Sequence, residues 1–252
     1  RNGGQVVMRH GSLFSGIGGF DLAAEWIGWE NVFHCELKEY NSRVLKKNFP
    51  DSESFDDITK FNATKFNGTI DIISGGFPCQ DLSIANRYNG GGKGINGERS
   101  GLWKEYARII REVEPGIIVF ENSSMLLTGG FERVLCDLHE LRFDVEWRCF
   151  YASDFGLPHI RKRVYGVAYS SLKRWKDIAK NGGVLQKILP KPTSRQNIIP
   201  ASLERFNSQT IREDILLDDG FSKELDKDLI YACGNAVVPQ IPFEIFKAID
   251  RL

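Results

Sequence analysis

His10-Gly11-Ser12-Leu13-Phe14-Ser15-Gly16-Ile17-Gly18-Gly19-Phe20 is the stretch on which the fold turns. Residues 10–14 predict a short buried strand, residues 15–19 a glycine-rich turn, and residues 20–29 an amphipathic helix with Leu22, Ala23, Trp26 and Ile27 facing inward. Strand, turn and helix in that order open an α/β unit whose helix N-terminus presents free N–H groups to an anion or a polar ligand. The turn is not a full dinucleotide fingerprint, and glycines there also serve packing alone.

The pattern repeats outward. Residues 31–35 predict a strand, 39–48 a helix, 70–74 a strand, 102–113 a helix, 117–120 a strand and 131–141 a helix. Two further strands, 145–151 and 164–169, flank a loop at 154–163 and fit a closing hairpin at one sheet edge. Alternating strands and helices predict a doubly wound, parallel, Rossmann-like α/β sheet. After Ser170 the alternation stops. Lys173, Arg174, Lys176, Lys180, Lys187, Lys191 and Arg195 are opposed there only by Asp177, whereas acids dominate from Glu213 to Asp228. The basic part is either a phosphate-facing surface or a solvated face. Residues 230–238 and a helix at 242–252 return to apolar periodicity. The expected division is a catalytic and cofactor-binding domain at 8–170, a short recognition region at 171–228, and a segment at 229–252 returning to the first domain.

The chain has 252 residues, 42% hydrophobic, which is enough for one large core or one core plus a small appendage. Thirty-three basic residues balance 33 acidic ones, so a nucleic-acid surface must come from local segregation of charge. Five cysteines without paired spacing, and no apolar run near the ~20 residues that span a bilayer, predict a protein of a reducing compartment, the cytoplasm by default, with no membrane partner. No cysteine pair has zinc-site spacing, so no metal is expected. Residues 1–7 precede Met8 and read as an expression remnant, outside the fold.

Gly75-Gly76-Phe77-Pro78-Cys79-Gln80 follows the strand at 70–74. Two glycines permit a sharp turn and Pro78 fixes one torsion, so Cys79 is presented at a sheet edge where ligands bind. An intracellular cysteine is most often a small buried hydrophobe. Cys79 differs from Cys35, Cys136, Cys149 and Cys233 in having a turn built around it. Glu36, at the end of the second strand, is where such folds hold a ribose hydroxyl pair. Asp57, with Ile58, either accepts from an adenine amino group or caps a turn. Glu121, at the end of the strand next to that of Cys79, is either a structural acceptor or an acid in the site.

Taken together these motifs resemble the cytosine-5 DNA methyltransferase family, over nearly all of residues 11–249 except a segment around 172–216. Phe14, Ser15, Gly16, Gly18, Gly19 and Phe20 resemble its cofactor loop, Glu36 its ribose acid, and Asp57 and Ile58 its adenine contacts. Gly76-Phe77-Pro78-Cys79-Gln80 resembles the nucleophile loop, Gly101-Leu102 the next cofactor element, and Glu121-Asn122 the catalytic acid motif. Arg161 and Arg163 resemble the paired arginines and Gly234-Asn235-Ala236-Val237 the closing cofactor motif. The order of all of them is specific where each alone is common.

The resemblance implies S-adenosyl-L-methionine as cofactor, with S-adenosyl-L-homocysteine as product, and cytosine in duplex DNA as substrate. Cys79 would add to C6, Glu121 would hold or protonate N3, Arg163 would bind O2, and Arg161 would steady the site or the nearby backbone. Pro78, Leu102, Asn235 and Ala236 join the cofactor contacts. A base inside a duplex is out of reach of a sheet-edge thiol, so the target is flipped out. Residues 85–101, with Arg87, Lys93, Arg99 and six glycines, then read as a loop that closes on DNA, joined by Gln80 and Ser83, or as a plain surface loop. Three departures stand out. Ser123 replaces a usual valine, His159 a usual glutamine, and the arginine-bearing motif that supports the recognition domain is not evident, with Asp218-Asp219-Gly220-Phe221 as its candidate replacement. The short variable segment resembles that of phage-borne or restriction-modification members, which implies a bacterial cell or an infected host and a cognate restriction endonuclease as a possible partner. The competing readings are a tRNA cytosine-5 methyltransferase, a catalytically silent relative, and a nicotinamide or flavin oxidoreductase. The last leaves Cys79, Glu121 and the arginine pair without roles.

Overall fold

A computed structural model describes residues 7–78, 101–157, 160–172, 175, 178, 182–188, 232 and 234–252. Seven strands form one sheet: β1 (Arg9–Leu13), β2 (Glu30–Cys35), β3 (Glu53–Phe55), β4 (Ile72–Gly75), β5 (Ile117–Ser123), β6 (Phe143–Tyr151) and β7 (Lys162–Ser170). Their order is β3-β2-β1-β4-β5-β7-β6. The five strands β3, β2, β1, β4 and β5 run parallel, and β7 enters antiparallel between β5 and β6. The doubly wound sheet with a hairpin at one edge is thus the architecture expected from the alternation.

Helices α1 (Gly19–Trp26), α2 (Glu39–Asn48), α3 (Leu102–Val113), α4 (Phe131–Glu140) and α5 (Gln240–Ile249) supply the outer layers. Side chains alternate across the sheet, as strand geometry requires. Ile73, Ile118 and Phe120 face Trp103, Tyr106 and Ile110 of α3 and Val134 and Leu138 of α4. Ile72, Ile117 and Val119 join Phe20 and Ala23 of α1 and Ile241, Ile245 and Phe246 of α5 on the opposite face. α5 is fastened to the start of the chain, because Trp29 stacks on Phe246 at 4.7 Å and its Nε1 donates to Asp250 at 2.9 Å. Trp175, Val184, Leu185 and Ile188 pack into the same cluster.

Several boundaries differ from the sequence expectation. α1 ends at Trp26 rather than residue 29, because Gly28 adopts φ +82° and turns the chain into β2, and Trp26 and Ile27 are half-buried. β4 begins at Ile72 rather than 70, and α5 at Gln240 rather than 242. β3 was not expected, and β5 runs to Ser123 rather than stopping at Phe120. β7 begins at Lys162, so Arg163 lies in a strand and not in a loop. Cys136 is exposed on α4 despite its helical setting, while Cys35 is buried.

Candidate functional site

The order of strands reverses between β1 and β4, where a doubly wound sheet opens a crevice at its carboxyl ends. Phe14 follows β1, Glu36 follows β2, Asp57 lies two residues beyond β3, Gly76 to Pro78 follow β4, and Glu121 lies near the end of β5. Because β7 is antiparallel, its first residues meet the end of β5. Ser123 pairs with Arg163 and Glu121 with Tyr165. Topology alone therefore brings the candidate acid and an arginine together from positions 42 residues apart in sequence.

The turn after β1 is tightly held. Phe14 takes φ +51°, a left-handed conformation that a bulky residue adopts only when its surroundings impose it, and its ring stacks on Tyr106 at 6.4 Å. Gly16 takes φ +57°, and a Cβ there would meet no atom of the described residues within 4 Å. Glu36 accepts the backbone N–H of Gly16 and of Lys38, each at 2.8 Å. Both oxygens are thereby oriented and keep lone pairs for further donors. Burial pushes the Glu36 carboxyl above the ordinary value, against the downward pull of those amides. Gly19 admits a close approach, since a Cβ would stand 2.5 Å from the Val237 carbonyl oxygen.

The loop after β4 is pinned as far as the described residues run. Asn122 Nδ2 donates to the Phe77 carbonyl at 3.0 Å. A Cβ at Gly76 would lie 3.1 Å from Glu121 Oε2 and 3.8 Å from Val237 Cγ2. The acid thus leans over the loop backbone three residues before Cys79. Phe77 is buried against Trp103 and Tyr106, and Gly75 lets Tyr106 and the Leu13 carbonyl close in on the end of β4. Cys79, Gln80, Ser83, Arg87, Lys93, Arg99 and His159 lie outside the described residues.

Glu121 is buried, at 7% exposure. Arg163 Nε stands 3.0 Å from Glu121 Oε1, an ion pair whose N–H is not aligned for a hydrogen bond, so that oxygen has no donor among the described residues. Burial raises the Glu121 carboxyl above the usual range, more than Arg163 and Arg161 lower it. Arg161 turns elsewhere, donating Nη1 to the Gly234 carbonyl at 2.5 Å and Nη2 to that of Asn235 at 3.4 Å. The two arginines divide the work: one faces the acid, the other grips the closing motif. Tyr165, paired with Glu121 across the sheet, is fully buried and kept neutral by desolvation.

Asp57 is occupied by turn chemistry. Its Oδ1 accepts the Thr59 N–H at 3.0 Å and the Thr59 hydroxyl at 2.7 Å, and Oδ2 lies 3.3 Å from Lys60 Nζ. The Thr59 bonds hold the carboxyl below its ordinary value. Ile58 is buried in the core and Leu102 packs partly against it. Asn235 and Ala236 lie on the chain between Gly234 and Val237, gripped by Arg161 on one side and packed on Gly19 on the other. Sequence reasoning missed Tyr106, which supports both Phe14 and Phe77, and the buried polar pair Ser12 and Asp21. The available signal for Asp21 was an acid within the apolar face of α1.

A crevice at the reversal of a parallel sheet, an oriented acid after the second strand and an antiparallel hairpin at the edge define the Rossmann-like methyltransferase fold. The family model for C-5 cytosine-specific DNA methylase matches residues 8–219, and the chain belongs to that family. Among similar proteins are the type II methyltransferase M2.BsuMI of Bacillus subtilis (strain 168), 37% identical over 165 residues, covering 62% of this chain and 41% of that protein. M.HhaI of Haemophilus parahaemolyticus is 34% identical over 166 residues, covering 64% of this chain and 49% of its own length. The chain spans about half the length of the curated relatives it matches. The fold is shared with the methyltransferase EhMeth of Entamoeba histolytica at a TM-score of 0.65 and 15% identity, covering 97% of this chain and 98% of that one. Among the described residues no helix is long and apolar enough to cross a membrane.

Proposed function

We propose that this protein transfers a methyl group from S-adenosyl-L-methionine to C5 of cytosine in duplex DNA, through a covalent adduct of Cys79 with a flipped-out base. The observation that carries the reading is the buried Glu121 carboxyl, leaning over Gly76 in the loop that leads to Cys79 and ion-paired with Arg163. Family membership supports the same chemistry.

The residues present fit the cofactor. Gly16, uncrowded among the described residues, the oriented carboxylate of Glu36 and the stacked Phe14 ring suit a nucleoside with two ribose hydroxyls. Ser15, Gly18, Gly19, Pro78, Leu102, Asn235 and Ala236 complete the proposed contacts, and Asp57 and Ile58 are proposed for the adenine end. When bound, the cofactor supplies an electrophilic methyl group on a sulfonium.

The chain's own residues make C5 able to accept it. The Cys79 thiolate forms a bond to C6, and the electron pair displaced toward N3 is met by a proton from Glu121, whose protonated form burial favours while Arg163 opposes it. C5 then takes the methyl group. Loss of the C5 proton to a base expels the sulfur from C6, and return of the N3 proton to Glu121 restores both the ring and the enzyme. Arg163 holds O2 as well as Glu121, and Arg161 braces the closing motif. Gln80, Ser83, Arg87, Lys93 and Arg99 are proposed to contact the DNA, and a cognate restriction endonuclease is the proposed partner.

The test is methyl transfer to unmethylated genomic DNA, with modified cytosines mapped by sequencing. Duplexes carrying 5-fluorocytosine at a mapped position then trap the adduct, since fluorine cannot leave as the C5 proton does. Wild type is expected to form the adduct and Cys79→Ala is not. Methylation of tRNA with none of DNA overturns the substrate, and an adduct that survives Cys79→Ala overturns the nucleophile.

A further inference from the structure

Beneath the cofactor turn lies a chain of buried polar groups that the proposed chemistry does not use. Asp21, the third residue of α1, is fully buried, and both its oxygens lie within reach of the Ser12 hydroxyl on β1, at 2.8 and 2.9 Å. Ser12 Oγ lies 2.5 Å from Ser15 Oγ in the turn itself. Ser15 Oγ in turn accepts the Cys35 N–H at 3.2 Å and stands 3.3 Å from the Cys35 carbonyl oxygen, directly before Glu36. The far side of Asp21 is fixed too, because Asn31 Nδ2 donates to its backbone carbonyl at 2.9 Å while Asn31 Oδ1 meets His10 Nδ1 at 2.7 Å.

The hydrogens can be counted. With Asp21 ionised, Ser12 donates to the carboxylate, Ser15 donates to Ser12, and the Cys35 N–H donates to Ser15. With Asp21 protonated, the run reverses and Ser15 donates to the Cys35 carbonyl. Each arrangement satisfies every member, so Ser15 is held to the end of β2 either way. A leucine at position 21 would leave Ser12 with one partner fewer in a site that water does not reach.

We propose that Asp21 is a positioning residue for the methyl-donor site: through Ser12 and Ser15 it holds the turn at 14–19 against the end of β2, without touching the cofactor. The inference rests on the proposed use of S-adenosyl-L-methionine and goes beyond it. The acid acts on cofactor affinity and not on the chemical step, because the run ends at the turn and at Cys35, not at the Glu121 loop.

The experiment measures S-adenosyl-L-homocysteine affinity by calorimetry, and kcat at saturating cofactor, for wild type, Asp21→Asn, Asp21→Leu and Ser12→Ala. Asp21→Leu is expected to weaken affinity roughly 10-fold, the order of a lost buried hydrogen-bond partner, with kcat nearly unchanged. Asp21→Asn, which can still exchange a hydrogen bond with Ser12, is expected to restore affinity. If Asp21→Leu does not fold, Ser12→Ala decides, with weakened affinity and unchanged kcat as the supporting result. Affinity equal to wild type in the folded variants, or kcat falling in step with affinity, overturns the positioning role. A wild type that binds no S-adenosyl-L-homocysteine overturns the cofactor reading itself, which is a separate outcome.

Discussion

Asn122 Nδ2 donates to the carbonyl of Phe77 at 3.0 Å, joining the end of one parallel strand to the loop that leaves its neighbour. Asn122 is only 2% exposed, so its side chain serves the protein and not the solvent. Asn122 Oδ1 also accepts the Ser123 N–H at 2.8 Å, which fixes the amide's orientation. The loop that carries the proposed nucleophile is therefore anchored two residues before Cys79.

Asn122→Leu leaves the Phe77 carbonyl buried without a donor, at a cost of about 1–3 kcal/mol. Because the anchor sits on the nucleophile loop, the expected effect is a roughly 10-fold or greater fall in adduct formation on 5-fluorocytosine DNA, with cofactor affinity retained. Single-turnover trapping beside calorimetry checks both halves. Equal loss of both would place Asn122 in general stability.

Glu121 carries a pH prediction. Burial raises its carboxyl above the ordinary value, and the proposed role uses the protonated form. The rate of adduct formation should therefore fall as pH rises through that raised value. Glu121→Gln, which cannot ionise, should lose about 10²-fold or more in rate and show no such limb. A rate profile over pH for the two proteins checks it, and an unchanged alkaline limb in the variant would assign that limb to another group.

The cofactor turn and the closing motif meet where Gly19 faces the Val237 carbonyl. A methyl group at position 19 would stand 2.5 Å from that backbone oxygen, which no side-chain rotation relieves. Gly19→Ala is expected to cost about 1–3 kcal/mol and to weaken S-adenosyl-L-homocysteine binding as the two segments separate. Thermal melts with and without the ligand measure both effects.

How much of this was legible beforehand follows from the physics of each residue. The parallel strands and their helices announce themselves through apolar runs and glycine punctuation, and the site residues sit at strand ends where such folds bind ligands. β3 is three residues, Glu53-Ser54-Phe55, too short and too polar to show any period. The apolar run predicts β5 only to Phe120, because Glu121, Asn122 and Ser123 are polar, yet they continue the ladder against β7. A buried functional strand end breaks the hydrophobic pattern for the same reason that it is functional. Which arginine faces Glu121 also depends on the antiparallel register of β7, which no local pattern encodes.

Two buried histidines lower stability as pH falls. His10 ionises at about 4 in the fold against 6.5 ordinarily, through burial, with its bond to Asn31 acting the other way. Between those values the unfolded chain binds the extra proton, so stability falls as pH drops from 6.5 toward 4, by about 3 kcal/mol for a fully buried ring. His34 is depressed likewise, through burial and then Lys46. Asp21 opposes them, since its folded value of about 7 against 3.8 means the fold takes up that proton first and gains stability as pH falls. Denaturant melts from pH 7 to 4 should show a shallower acid loss for His10→Asn than for wild type, whatever the variant's stability at pH 7.

The segment at 182–188 is held to the sheet by a carboxylate and a guanidinium as well as by packing. Glu146 on β6 accepts the Tyr169 hydroxyl at 2.5 Å, the Val184 N–H at 2.6 Å and the Leu185 N–H at 3.0 Å. Arg148, two residues along the strand, donates Nη1 to the carbonyls of Leu185 and Ile188 at 3.0 and 2.9 Å. Gly183 is required for this approach, since a Cβ there would meet the Glu146 carboxylate at 2.2 Å. Glu146→Ala strips three donors of their acceptor at once, while Arg148→Ala removes one donor shared by two carbonyls. Glu146→Ala should therefore cost more, about 3 kcal/mol, and should speed amide exchange at Val184 and Leu185 without altering exchange in α3 on the opposite face. Hydrogen exchange read by mass spectrometry distinguishes this local release from a global loss of stability, in which α3 would exchange faster as well.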